Sequence, residues 1–268
     1  MTDHSAPPIA QKSIIAKQFG NASKTYEGAS RLQRQMGRAM LEALEADSDG
    51  EPLRILDLGC GTGWFTRRLS QAWPAGQVTG VDLSPGMIRQ AGENDGAMIE
   101  WVIADAEALP LHDRSFDLVF SNLMIQWCSD PRPVLAECKR LLRPGGRLML
   151  STLLDGTLRE LKQAWAIADP GQEHVNRFES EAALREQVAA ELPGASLAIQ
   201  TITLPYASPM ALAAELRQLG AGFKNETRRK TLTAPGRVRE MCRHYPSEPD
   251  GTAVASYEAA WVHWQPAD

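Results

Sequence analysis

Three closely spaced glycines give the strongest chemical signal in the sequence. Gly59, Gly61 and Gly63 follow a short apolar run at residues 53–58, and a helical pattern begins at Trp64. Glycine tolerates the sharp bend of a strand–turn–helix joint and lets a ligand lie directly against the main chain. The amides at the start of the following helix then point at that ligand. The pattern therefore predicts a ligand-binding turn.

The spacing of the glycines indicates which ligand binds. A dinucleotide-binding turn has the pattern Gly-x-Gly-x-x-Gly, whereas here the glycines alternate and Asp57 precedes them. This arrangement resembles motif I of the S-adenosylmethionine-dependent methyltransferases. The resemblance implies S-adenosylmethionine as the methyl donor, bound by Asp57, Gly59, Gly61 and Gly63. A nicotinamide cofactor and a turn without a ligand are the alternatives.

An acid at the end of the second predicted strand suits the ribose of that donor. Asp82 lies 19 residues beyond Gly63, and its carboxylate can accept hydrogen bonds from both ribose hydroxyls. The other role for this acid, capping the next helix, suits Ser84 better. Leu83 and Met87 are further donor-binding candidates, and Met87 lies either over the adenine edge or in the core.

The ends of the third and fourth strands supply the next candidates. In methyltransferases of this class an acid after the third strand meets the adenine together with the next backbone amide, which implies Asp105 and Ala106 here. Glu107 is expected to be solvated. Asn122 is predicted to line the donor pocket, and Trp127 is either a core residue or a wall of the acceptor site.

Two features restrict the methyl acceptor. Residues 121–127 contain no Asn-Pro-Pro-aromatic motif, which disfavours methylation of amide or base nitrogens, and no acid cluster for a magnesium-dependent catechol site. His174 and Arg177 lie three residues apart in a short polar segment. Because guanidinium binds carboxylate through two hydrogen bonds, the pair is a candidate carboxylate clamp. A structural histidine and a solvated arginine are the alternative interpretation.

Strands and helices alternate through the part of the chain that carries these residues. Strands are predicted at 53–58, 77–82, 99–103, 116–121 and 146–152, and helices near 63–72, 85–92 and 131–142. This alternation predicts an α/β, Rossmann-like parallel sheet with helices on both faces and ligands beyond the carboxyl ends of the strands. Two further strands at 196–204 and 253–264 would complete a seven-stranded methyltransferase sheet.

The remaining segments are predicted to be mostly helical. N-terminal helices at 9–20 and 29–44 flank a polar loop at 19–26 that lies over the donor site, and later helices occupy 157–168, 180–190, 209–219 and 237–244. We predict one methyltransferase domain, 1–268. It comprises N-terminal helices or lid (1–50), cofactor-binding core (51–153), helical insertion (154–192) and C-terminal strands with a basic helical segment (193–268).

Composition narrows the class of protein further. With 268 residues, 43% of them apolar, the chain can bury one large core and is globular. No apolar run approaches the length of a bilayer span, and the N-terminus lacks a signal-peptide pattern. The four cysteines are scattered and the histidines do not cluster, so we expect no metal, no disulfide framework and a cytoplasmic location.

Positive charge is concentrated in residues 217–243. This stretch holds eight Lys or Arg and two Glu, a net charge of +6, so the rest of the chain carries −11 of the overall −5. Either the stretch binds an acidic partner or it is a solvated helix face. The overall acidity disfavours nucleic acid as a partner.

Together these motifs resemble the malonyl-acyl-carrier-protein O-methyltransferases of the early biotin pathway. The resemblance covers nearly the whole chain, and its more specific parts are residues 126–127, 156–158 and 174–178. Motif I and the acid positions are shared by many methyltransferases. The match is weaker at residues 230–234, where the family more often has a Gly-Leu-Thr-Gly run.

The resemblance implies methyl transfer to the free carboxylate of a malonyl group on an acyl carrier protein or on coenzyme A. A carboxyl with a pKa of about 4 is ionised at pH 7, so no general base is required. Under this interpretation Arg177 and His174 clamp the carboxylate, and Tyr26 closes over the donor. The basic stretch, residues 217–243, then attracts the acidic carrier.

Other functions remain open at this point. A small-acid carboxyl methyltransferase, such as one acting on trans-aconitate, would share the residues at 126–127 and also need a carboxylate clamp. A carbon methyltransferase of quinone biosynthesis is a further possibility, although its membrane-borne substrate would suit a more apolar cap. A non-catalytic module that binds S-adenosylmethionine is an alternative from a different class.

Overall fold

A computed structural model describes residues 9–46, 53–93, 99–221 and 234–266 of the protein. The strands are β1 (Arg54–Leu58), β2 (Gln77–Asp82), β3 (Ile99–Ile103), β4 (Phe116–Asn122), β5 (Leu142–Leu154), β6 (Ser196–Tyr206) and β7 (Ala253–Trp264). The helices are α1 (Ile9–Ala29), α2 (Arg31–Ala46), α3 (Trp64–Ala72), α4 (Pro85–Glu93), α5 (Arg132–Leu141), α6 (Arg159–Ala168), α7 (Glu181–Glu191), α8 (Pro209–Gln218) and α9 (Pro235–His244). Within these ranges no helix is both long and apolar enough to cross a membrane.

The seven strands form one sheet in the order β3-β2-β1-β4-β5-β7-β6. Strands β1 to β5 are parallel, whereas β7 runs antiparallel between β5 and β6. The parallel pairing brings the carboxyl ends of β1, β2 and β4 to the same edge of the sheet. This arrangement confirms the predicted Rossmann-like, seven-stranded methyltransferase sheet.

The pleat of β1 shows how both faces of the sheet are covered. Successive side chains of a strand point to opposite faces. Ile55 packs in a buried cluster with α2 and α3, whereas Leu56 and Leu58 belong to a cluster with α5 and α7. Asp57 shares the face of Ile55, so its carboxylate lies beneath the start of α3.

The prediction of a loop at residues 19–26 is wrong, because helix α1 continues through these residues. Gly20 in the middle of the helix packs against α4, and a Cβ added at Gly86 would lie only 2.6 Å from the Gly20 Cα. Glycine inside a helix costs about 1 kcal/mol relative to alanine. Close packing of α1 on α4 offsets this cost, so the tertiary contact overrides the local preference.

Candidate active site

The main cavity of the protein opens at the carboxyl ends of β1, β2, β3 and β4. Its lining includes residues from the glycine turn, from the ends of these strands and from α1, α6 and α8. Ligands of parallel α/β sheets bind at this edge. A second, smaller cavity adjoins it on the side of α2 and α3, and the two share Tyr26, Gln33, Gly59, Gly61 and Asn122. The predicted donor residues therefore converge on one region.

The three glycines of the turn have two different roles. Gly59 and Gly61 have positive φ angles of 77° and 56° and line both cavities. Gly63 also has a positive φ but lines neither cavity, and a Cβ there would lie 2.4 Å from Trp101 Cη2. The prediction that Gly63 contacts the donor therefore needs correction. This glycine is required where α3 packs closely against β3.

The carboxylate of Asp82 is fixed by the main chain at the cavity wall. Its Oδ2 accepts a hydrogen bond from the Gly61 amide at 2.9 Å, and its Oδ1 accepts one from the Ser84 amide at 2.8 Å. Each carboxylate oxygen has capacity for a further hydrogen bond. Burial raises the pKa of Asp82, while the two amide bonds oppose the rise. Asp82 is thus preorganised to accept the two hydroxyls of a ribose.

The predicted adenine contacts and the two further donor-binding candidates lie together at the same end of the cavity. Leu83, Met87, Asp105 and Ala106 all line it. Lys12 of α1, which the sequence analysis did not identify, forms ion pairs with Asp105 at 2.6 Å and with Glu107 at 2.7 Å. The expectation that Glu107 is solvated is wrong, because its side chain is only 15% exposed.

The second cavity contains polar atoms that have no protein partner. Arg34 Nε and Gln33 Oε1 are buried, and neither forms a hydrogen bond within the part of the chain that is described. Both side chains line this cavity beside Gly59 and Gly61. A cationic donor and an amide acceptor complement a carboxylate and an ammonium group, which are the two charged groups of the methionine part of S-adenosylmethionine. The residues present therefore fit this donor.

Asp57 lies under the glycine turn and lines only the second cavity. The Thr66 hydroxyl donates a hydrogen bond to its Oδ2 at 2.5 Å. Burial raises the pKa of Asp57 from its ordinary 3.8 to about 7; the Thr66 bond opposes this rise, and the nearby Asp82 carboxylate adds to it. Since the pKa of Asp57 is higher in the folded state than in the unfolded state, its contribution to the free energy of unfolding is fully present below about pH 4. This contribution is lost as the pH rises to about 7.

Asp57→Asn is expected to remove this pH dependence. A rise of about three pKa units corresponds to about 4 kcal/mol, so the stability of the wild type relative to the variant should fall by that order between pH 4 and pH 7. Urea unfolding at several pH values measures it. Asp113→Asn changes a carboxylate that is 72% exposed and serves as the control. Parallel stability curves for Asp57→Asn and wild type would contradict the assignment.

Aromatic side chains form the wall opposite the glycine turn. Tyr26 of α1 lies over Gly61, whose added Cβ would be 3.8 Å from Tyr26 Cε1. Phe19, two helical turns earlier, packs edge-to-face with Trp127, with ring centroids 4.8 Å apart. All three rings line the main cavity. Burial, followed by the Asp82 carboxylate, raises the pKa of Tyr26, so its phenol stays protonated at neutral pH.

Strained backbone borders the centre of the cavity. Asn122, the predicted pocket residue, lines both cavities, with its Nδ2 donating to the Gln33 carbonyl at 2.9 Å. Leu123 and Leu158, both in the cavity lining, have positive φ angles of 56° and 57°. This conformation costs roughly 1–2 kcal/mol for a residue other than glycine, and such strain concentrates at functional sites. The sequence contains no local signal for it.

The two residues of the predicted carboxylate clamp are separated by the structure. His174 lines the main cavity and its side chain is 17% exposed. The Arg177 side chain is 81% exposed, pairs with Glu173 and does not line the cavity. The structure therefore brings His174 to the site but leaves Arg177 at the surface.

The structure describes only part of the basic stretch, residues 217–243. Residues 222–233, with Lys224, Arg228, Arg229 and Lys230, lie outside the described residues. Of the other basic residues, Arg217 ends α8 and three are on helix α9, namely Arg237, which pairs with Asp169, the exposed Arg239, and Arg243, which pairs with Glu240.

The strand order, the glycine turn after β1 and the acid at the end of β2 define a class I S-adenosylmethionine-dependent methyltransferase. Residues 56–150 match the family described as "Methyltransferase domain". The YcgJ protein of Bacillus subtilis shares the fold, with a TM-score of 0.59 at 18% identity over 86% of this chain and 99% of that one.

Relatives with higher sequence identity show the family. The malonyl-[acyl-carrier protein] O-methyltransferase of Hahella chejuensis is 40% identical over 87% of this chain and 83% of its own length. A protein of the same name from Methylococcus capsulatus is 39% identical over 92% of this chain and 91% of its own length. The chain belongs to the malonyl-acyl-carrier-protein O-methyltransferase family, as its motifs predict.

Proposed function

We propose that the protein transfers a methyl group from S-adenosylmethionine to the free carboxylate of a malonyl group on an acyl carrier protein, giving the methyl ester that primes biotin synthesis. One observation carries this proposal. In a member of this family, a single cavity joins the glycine turn and Asp82 to a compartment with apolar walls that has His174 at its edge.

The donor would be held along the sheet edge by residues that end or follow β1, β2 and β3 and by residues of α2 and α4. Asp82 accepts the ribose hydroxyls, and Leu83, Met87, Asp105 and Ala106 surround the adenine. Gly59 and Gly61 let the donor lie against the main chain, while Arg34 and Gln33 take its carboxylate and ammonium groups. When bound, S-adenosylmethionine supplies an electrophilic methyl carbon on a sulfonium. Asp57 would meet the donor from the second cavity, which it lines beneath the glycine turn.

The transfer itself needs alignment more than proton movement. The malonyl carboxylate is ionised at neutral pH, since its pKa is about 4. Its oxygen forms the bond to the methyl carbon as the carbon–sulfur bond breaks, and the bonding electron pair stays on sulfur. No proton is released, so no base is required. Holding the reactants in line can contribute several kcal/mol or more.

The aromatic wall would serve to exclude water and to close the site. Tyr26 and Phe19 are on α1, a continuous helix that spans the cavity and that the ion pairs of Lys12 fasten to the adenine end. Water competes for the carboxylate oxygen, and its removal strengthens the electrostatic interactions inside the site. This supports the predicted closing role of Tyr26, now placed on a helix.

A positive surface would attract the acidic carrier. Helix α9 presents Arg239 and Arg243 on one exposed face, four residues apart. Charge complementarity of this kind accelerates association and weakens with salt. We propose the basic stretch 217–243 as the docking site, with nucleic acid and membranes not expected as partners and the cytoplasm as the expected location.

Arg239→Glu is expected to raise the KM for malonyl-carrier protein by about three- to fivefold at low salt and to flatten the rise of KM with salt. Steady-state kinetics at several ionic strengths measure both effects. Arg185→Glu, on α7 away from this face, is the matched control because Arg185 is also exposed and on a helix. Equal KM values for wild type and Arg239→Glu at low salt would show that the face is only solvated.

The proposed function is tested by transfer of labelled methyl from S-adenosylmethionine to malonyl-carrier protein, malonyl-coenzyme A, trans-aconitate and free malonate in parallel. Preference for the carrier-bound malonyl group is the expected result. Turnover of a free acid with the carrier substrate ignored would replace the proposal with a small-acid methyltransferase. Tight donor binding with no turnover of any acid would identify a non-catalytic binding module.

A further inference from the structure

We propose that Asp169 and Arg237 are positioning residues for His174, and that this three-residue network lets the acceptor site distinguish a malonyl group from an acyl group without a carboxylate. The inference rests on the proposed function. It assigns carboxylate recognition to His174 and gives a role in the site to α9, through Arg237.

The ring of His174 is fixed on two sides. Its Nε2 lies 3.0 Å from Asp169 Oδ2. The imidazole also stacks on the Trp165 indole of α6, with ring centroids 3.9 Å apart and an interplanar angle of 12°. His174 lines the main cavity. A ring held in this way presents a constant edge to a ligand.

Asp169 determines which ring nitrogen carries a proton. Its side chain is only 6% exposed and accepts hydrogen bonds from His174 and from Arg237. Although desolvation raises the pKa of Asp169, these two bonds outweigh it and hold the pKa below its ordinary value. An ionised carboxylate only accepts hydrogen bonds, so Nε2 of His174 is the donor. Nδ1 is then the nitrogen left for a ligand, and with a proton taken from solvent it can donate a hydrogen bond to a substrate carboxylate.

Arg237 balances the negative charge of Asp169. Beside Asp169 alone, a protonated His174 would form a neutral pair with little attraction for an anion. With Arg237 neutralising Asp169, protonation of His174 leaves one net positive charge at the cavity edge. A bound carboxylate stabilises that protonated form. The network can therefore offer one positive charge to an anionic ligand.

The other charged groups near this part of the cavity are already paired. Lys12, the other basic side chain in the described lining, binds Asp105 and Glu107. Glu215 of α8 accepts hydrogen bonds from Arg31 and Tyr206. Arg177 pairs with Glu173 in the same loop as His174 and does not line the cavity. His174 is thus the group best placed to meet a carboxylate.

The test compares two carriers that differ only in the carboxylate. For Asp169→Asn and Arg237→Met, we expect the KM for malonyl-carrier protein to rise about tenfold or more. The inhibition constant of acetyl-carrier protein and the dissociation constant of S-adenosylmethionine should stay within about twofold of wild type. Because both carriers dock through the same protein surface, any loss of docking by Arg237→Met cancels in the malonyl-to-acetyl ratio.

Two further variants make the result decisive. Arg237→Lys keeps the positive charge and should restore most of the selectivity, which a purely structural role would not predict. Arg177→Ala is the matched control and should leave the ratio unchanged. Folded Asp169→Asn or Arg237→Met with unchanged selectivity would overturn the inference, as would loss of selectivity in Arg177→Ala alone. Wild-type protein that binds the donor but ignores malonyl-carrier protein would instead overturn the proposed function.

Discussion

Asp82→Ala is expected to raise the dissociation constant of S-adenosylmethionine by about 100- to 1,000-fold. A hydrogen bond to a charged group contributes roughly 1.5–3 kcal/mol, and two ribose hydroxyls would lose such an acceptor. The substitution also removes the acceptor for the hydrogen bonds that the Gly61 and Ser84 amides donate to Asp82. Loss of these bonds loosens the turn that faces the donor. Isothermal titration calorimetry with the donor measures the effect.

Asp117→Ala is the matched control for this variant. Asp117 also accepts a backbone hydrogen bond, from the Arg54 amide at 2.7 Å, and it pairs with Arg143. It lies at the opposite end of the parallel strands, so its loss costs similar local stability without touching the donor site. Thermal unfolding of both variants separates the two effects. Equal donor affinity in Asp82→Ala and Asp117→Ala would refute ribose binding by Asp82.

Arg34→Met is expected to weaken S-adenosylmethionine binding by about 10- to 100-fold. The buried Nε of Arg34 forms no hydrogen bond within the described residues, and its guanidinium also donates to the Glu27 carbonyl at 2.7 Å. Loss of one charge-assisted bond to the donor carboxylate costs roughly 1.5–3 kcal/mol. Methionine keeps the apolar stem, so the measured change reports the guanidinium. Donor affinity by calorimetry is the measurement.

Arg38→Met provides a close comparison. Arg38 lies one helical turn farther along α2, and its guanidinium sits over the same Trp64 ring, at 5.7 Å compared with 5.2 Å for Arg34. It is exposed and lines neither cavity. The variant should therefore bind the donor like wild type. If both variants lost donor affinity equally, the general positive charge around Trp64, and not Arg34 itself, would be responsible.

Helix α1 links the adenine end of the donor site to the glycine turn. It carries Lys12 at the adenine end and Tyr26 over Gly61 at the turn. A loop at residues 19–26 would have allowed Tyr26 to move by itself. Because the segment is helical, movement of Tyr26 moves Phe19 and Lys12 with it. Any such movement would involve the whole helix, including the ion pairs of Lys12 to Asp105 and Glu107.

The sequence alone determined the donor face of the protein. Gly59, Gly61 and Asp82 were predicted, and line the main cavity, because each lies within a few residues of a strand end, where local pattern specifies both the backbone and the direction of the side chain. The same local alternation predicted the seven strands and their sheet. Short-range signals of this kind predict the folded arrangement, because each strand end is followed directly by its own turn and its own candidate ligand residue.

Only the tertiary structure decided which further side chains border the two cavities. Arg34 and Lys12 come from helices whose periodicity shows a buried face but not what a polar residue beside that face will meet. Gly63 serves packing because Trp101 of β3, almost 40 residues away, lies against it. Arg237 reaches Asp169 across 68 residues. These contacts depend on how separate elements pack together, and the spacing of residues along the chain does not encode that packing.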